Sequence, residues 1–128
     1  MDPVIRLHAR MASVTIHNVA TQGMASFRGM VVADGKTVSF VQNRATEPLW
    51  TLPISEVDVE MLEVGLMART PVRITHPRLG EVHLAVSRKP FRGLPISNIR
   101  YRSDDILARN LVAYLWRNGA GRPELTDS

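Results

Sequence analysis

A helical period occurs once in this chain, near its end. Leu107, Ala108, Leu111, Val112 and Leu115 recur at the spacing that lines one face of a helix. Ser103 is a suitable N-cap, Asp104 and Asp105 suit the positive end of the helix dipole, and Asn118-Gly119 is a stop signal. The expected helix therefore covers about 103–118. Upstream, short runs alternate between apolar and polar residues, or are broken by proline and glycine. A chain of that pattern folds as strands closed by one helix.

Ser13–His17 alternates with Val14 and Ile16 on one face. Ser26–Val32 and Thr37–Gln42 flank Asp34-Gly35, a hairpin signal because a tight turn needs positive φ. Leu49–Ile54 alternates through Trp50, Leu52 and Ile54, and Pro53 places it at an edge or a strand end. Val57–Val64 reads as a further strand. Pro71–His76 and Glu81–Ser87 form a second expected hairpin around Pro77-Arg78-Leu79-Gly80. Arg88–Asn98 contains two prolines and a glycine and reads as a loop, before a last short strand at Ile99–Arg102. The fold class is mainly β, a small antiparallel β-barrel of about six to seven strands with one C-terminal α-helix. A single domain over 1–120 is expected, with 121–128 as a flexible tail.

At 128 residues and 45% hydrophobic content the chain can bury a core. The absence of cysteine excludes disulfides, cysteine zinc sites and a thiol nucleophile. The net charge of +4 is spread along the chain and asks only weakly for an anionic partner. No apolar run reaches membrane-spanning length, and the N-terminus lacks the plan of a signal peptide, so a cytoplasmic location is the default expectation.

Catalytic patterns are missing. His8, His17, His76 and His83 make no metal-ligand spacing, although His76 and His83 could meet across their hairpin. No G-x-S-x-G occurs. Gly29 to Thr37 ends like a phosphate loop, but has five residues between its glycines where four are needed, and it straddles a hairpin. The expectation is a non-enzymatic protein with no cofactor and no metal.

Two N-terminal clusters are the candidate binding residues. Arg6 and Arg10 form R-L-H-A-R ahead of the first expected strand, and N-V-A-T-Q-G follows from Asn18 to Gly23. Guanidiniums pair bidentately with phosphate, and a glycine-closed turn can add backbone N–H donors. Together they resemble the signature of PilZ domains, bacterial barrels with R-x-x-x-R followed by [D/N]-x-S-x-x-G. The order G-L-M-A-R-T-P-V-R-I, G-E-V-H-L-A-V, I-R-Y-R, then the terminal helix, is similar as well. The resemblance implies a bacterial signalling module that binds cyclic di-GMP through Arg6, Arg10, Asn18 and Gly23. The chain departs from the pattern at Ala20, where the family has serine, and in the short spacing from Arg10 to Asn18. A degenerate member would act instead as a protein–protein adaptor.

Two other resemblances weigh against this one. F-R-G-M-V-V-A-D-G-K-T-V-S-F followed by W-T-L-P-I-S-E-V-D-V looks like the early strands of a PH-like barrel, which implies binding of lipid headgroups or proteins through basic loops. The stretch around Gly29 also resembles an Sm-like strand order, which implies RNA binding. With three Phe, two Tyr and two Trp, few aromatics are available to stack on bases, so nucleic acid is the poorer fit. Trp50 and Trp116 read as core or rim aromatics, Trp116 with the further option of a partner-facing anchor.

Overall fold

The computed structural model describes residues 4–18, 23–62, 72–90 and 104–123. Among them are seven strands: β1 (Ile5–Asn18), β2 (Gly23–Ala33), β3 (Thr37–Gln42), β4 (Trp50–Pro53), β5 (Asp58–Met61), β6 (Val72–His76) and β7 (Gly80–Ser87). One helix, α1 (Asp105–Arg117), follows them. All the strands join one antiparallel sheet in the order β4-β3-β2-β1-β7-β6-β5. The sheet curls into a half-barrel, as the alternating segments predict.

The expected and observed elements differ most at the N-terminus. The first strand begins at Ile5 rather than Ser13, so Arg6 and Arg10 belong to the sheet and not to an arm before it. The cause is ordinary pleating. Ala9 and Met11 are buried and Ile5 and Leu7 pack against the core, while Arg6, His8 and Arg10 alternate onto the other face. β1 pairs with β2 from Ile5↔Ala33 to Asn18↔Gly23, with an irregularity between Ser13 and His17. Its other edge pairs with β7 from His8↔Ser87 to Ser13↔Val82.

Asp34-Gly35 turns β2 into β3 as its chemistry requires, with Gly35 at φ 91°. The Asp34 carboxylate accepts from Thr37 N at 2.8 Å, Lys36 N at 3.0 Å and Thr37 Oγ1 at 3.2 Å. The backbone donors of Thr37 and then Lys36 hold its pKa below the ordinary 3.8. Further along β2, Gly29 is required by contact rather than by φ. A Cβ there would run into the Val41 carbonyl and come within 2.8 Å of Gln42 Cα.

The helix starts one residue later than the sequence pattern suggests. Asp104 is the N-cap and accepts from Leu107 N at 3.0 Å, and its own N–H donates to Val86 O at 2.7 Å, tying the helix to β7. Ser103 and Ile99–Arg102 lie outside the described residues. Ala108, Leu111, Val112, Tyr114 and Leu115 are buried against the concave face of the sheet with Met11, Val31, Phe40, Ile54, Val59, Ile74 and Leu84. Tyr114 Oη donates to Ala33 O on β2 at 3.3 Å, and Trp116 Nε1 donates to Val59 O on β5 at 2.8 Å. The helix thus reaches both halves of the sheet. No described helix is long and apolar enough to cross a membrane.

Leu115→Ala is expected to lower stability by about 2–5 kcal/mol in denaturant titration, the range for truncating a fully buried leucine. Gly29→Ala is expected to cost about 1–3 kcal/mol by overpacking the β2–β3 crossing. Because the Asp34 pKa is depressed in the fold, its contribution is present above pH 3.8 and lost as pH falls through the lower folded value. Asp34→Asn should therefore flatten the acid side of the stability–pH curve, read from urea midpoints between about pH 5 and about pH 2.

Candidate functional site

The outer, convex face of β1–β3 is the most distinctive surface. Arg6, His8 and Arg10 of β1, Arg28, Met30 and Val32 of β2, and Ser39 and Val41 of β3 lie on it. Register places Arg10 opposite Arg28, His8 opposite Met30, and Arg6 opposite Val32. Met30 in turn faces Val41, and Val32 faces Ser39. Met30, Val32 and Val41 are half-buried, and Arg6 and Arg28 are exposed. Ser39 Oγ and Thr51 Oγ1 lie 2.9 Å apart at the far side of the patch. The result is a small apolar centre flanked by three guanidiniums and a hydroxyl pair. Arg10 and Arg28 occupy directly opposed positions on the two strands, and each has an interaction partner within the fold.

The neighbouring outer face of β5–β7 is balanced internally. Arg73 pairs with Glu60 and lies 3.8 Å from Glu81, and Glu81 lies 2.6 Å from His83 Nε2. Arg6 makes no ion pair among the described residues.

Of the sequence candidates, Arg6 and Arg10 share a face of β1, two pleats or about 13 Å apart. Asn18 and Gly23 pair with each other at the opposite end of the β1–β2 hairpin. Seven residues of strand, eight steps, separate Arg10 from Asn18, up to roughly 26 Å. The two clusters are thus not brought together. Residues 19–22 between Asn18 and Gly23 lie outside the described residues. Arg28, Met30, Val32 and Val41 completed the patch without being singled out in the sequence. Their signal was the alternation of β2 and β3 combined with the register of the Asp34-Gly35 hairpin.

The histidines do not meet. His76 is buried on the core side of β6, while His83 stands on the outer face of β7 opposite Arg73. His76 Nδ1 accepts from Arg78 N at 3.1 Å and Leu79 N at 3.4 Å. Nε2 therefore carries the proton and donates to Glu56 Oε1 at 3.1 Å. His76 organises the β6–β7 turn. Among the described residues no three His, Asp or Glu side chains gather as a metal site does. Both tryptophans are anchored inward. Trp50 Nε1 lies 3.0 Å from Met11 Sδ and its ring stacks near Phe40, while Trp116 is fixed by its bond to β5.

No protein-family model matches the chain, and no curated protein matches its sequence. Solved structures do match. The pleckstrin homology domain of ArhGAP27 aligns over 91% of this chain and 98% of its own, with a TM-score of 0.57 and 8% identity. The PH domain of human oxysterol binding protein-related protein 11 aligns over 100% of this chain and 94% of its own, with a TM-score of 0.52 and 10% identity. The fold is PH-like. At these identities the likeness concerns the fold alone. It overturns the PilZ resemblance, and with it the bacterial cyclic di-GMP module that the resemblance implied, because both neighbours are PH domains. The R-x-x-x-R pattern matched a flexible-arm signature by residue type, whereas in the PH-like sheet the same residues are a strand face. Neither neighbour is an Sm-like protein.

His76→Phe is expected to keep an aromatic ring but lose the acceptor for two turn N–H groups, costing about 1–3 kcal/mol. Chemical denaturation compared with His76→Asn, whose side-chain oxygen can still accept, checks this. Equal losses in both variants would contradict the assignment.

Proposed function

We propose that this PH-like chain is a non-enzymatic protein-binding module that docks an acidic partner on the outer face of β1–β3. One observation carries the reading: half-buried Met30, Val32 and Val41 sit beside Arg6, Arg10 and Arg28 on one rigid sheet face. Protein interfaces are built this way, with an apolar centre, arginine-rich contacts and a polar rim. A lipid surface would instead be met by basic loop tips, and the patch here lies on the strands themselves. Arg6 and Arg10 thus keep a binding role, with a protein carboxylate rather than a nucleotide phosphate as ligand.

The partner's chemistry follows from the face. It presents Asp or Glu side chains spaced to meet Arg10 with Arg28 and, about two pleats away, Arg6, with an apolar residue between them. Charge of this kind sets on-rate and specificity, and the apolar centre supplies contact area.

Selection from a displayed peptide library should enrich sequences that combine acidic and apolar residues. Their affinity should fall at least about tenfold for Arg6→Glu with Arg28→Glu, at unchanged melting temperature. Flotation with phosphatidylserine vesicles that is lost in the same double variant, without any peptide enrichment, would overturn the reading in favour of a membrane surface.

A further inference from the structure

Among the described residues β5 is an edge strand, and residues 119–122 cover that edge. After α1 the backbone reverses at Gly119, φ 111°, and Ala120 N donates to Leu115 O at 2.9 Å. Gly121 then forms a single parallel bridge to Asp58. Its N–H donates to Val57 O at 2.8 Å, and its carbonyl accepts from Val59 N at 2.9 Å. The Val59 carbonyl is taken by the Trp116 indole N–H at 2.8 Å. The next residue, Arg122, places its guanidinium 3.8 Å from the Trp116 ring centroid. The first residue of the tail expected over 121–128, Gly121, is thus bonded to the sheet.

The contacts are few and mostly made by backbone. An edge strand offers the same donors and acceptors to any extended segment, whatever its sequence. Selectivity here comes from one side-chain contact. A Cβ at the Gly121 position would meet only the end of the exposed Asp58 side chain, which can turn away, so the bridge itself admits residues other than glycine. The position after it meets an indole face, which favours a cation. The covering segment thus records what the edge accepts.

We propose that the outer edge of β5 is a second docking site, for an extended segment of a partner protein that places an arginine or lysine over the Trp116 ring, and that residues 119–122 occupy it in the absence of that partner. The site shares no residue with the basic face of β1–β3 and does not depend on it. Binding exchanges one set of backbone hydrogen bonds for an equivalent set, so the fold is unchanged. A tethered segment competes at an effective concentration on the order of mM, which keeps weak partners out.

The test uses the full chain and a fluorescent peptide of residues 118–125, N-G-A-G-R-P-E-L. Gly121→Pro in the protein removes the N–H that bonds Val57 and frees the edge. The peptide is expected to bind this variant at least tenfold more tightly than the unaltered chain. A peptide with proline at the same position should not bind. Equal affinity for both proteins, or binding to neither, would overturn the proposal. Hydrogen exchange on the unaltered chain provides an arm that needs no variant to fold. The Val59 amide should exchange at least a hundredfold faster than that of Ile74, because the covering segment opens without global unfolding. Equal rates would overturn the proposal. A concentration-dependent dimer in which Val59 is protected would overturn it as well, by making a second copy's C-terminus the occupant.

Discussion

β1 is the strand on which everything else in the molecule depends. It pairs with β2 along one edge and with β7 along the other, and so joins the four-strand and three-strand halves of the sheet. Pleating then determines the rest. Ala9 and Met11 turn inward to meet Phe40, Trp50 and the helix stripe, and Arg6, His8 and Arg10 turn outward. One strand thus supplies the seam of the barrel and half of its most basic surface. A change that loosened β1 would disturb core and surface together.

The helix completes what β1 begins. The sheet pairs in an open order from β4 to β5, and α1 lies in its concave side with bonds to β2 through Tyr114 and to β5 through Trp116. Both exposed edges are short, four residues each at β4 and β5. β4 ends in Pro53, which cannot extend a ladder, and β5 is covered by Gly121. Short, blocked edges keep such a sheet from pairing with other chains at random.

Much of this was legible in the sequence. Asp34-Gly35 and the alternation around it place β2 and β3, and the bounds expected for β3, Thr37–Gln42, are those observed. The apolar stripe from Leu107 to Leu115 places the helix. Ile5, Leu7, Ala9 and Met11 alternate with Arg6, His8 and Arg10 in the sequence as well, while the spacing of the two arginines also fits an arm motif. Spacing of four fits a loop signature and a strand face alike, and only the sheet decides between them. The Gly121 bridge carries no signal of its own, since two backbone hydrogen bonds leave no side-chain pattern. The convex patch needed register, which follows from the turn, and the crossover from β1 to β7, which no local pattern encodes.

The account stands on β1 being a continuous strand from Ile5 that holds Arg10 between Arg28 and Ala85. Cross-strand nuclear Overhauser effects in the full chain measure this directly. A continuous β1 gives backbone contacts from Arg10 to Arg28 on one side and to Ala85 on the other, with strand-like chemical shifts from Ile5 through Ala12. Random-coil shifts over those residues, with no contact to β2 or β7, would contradict it and return Arg6 and Arg10 to a flexible arm.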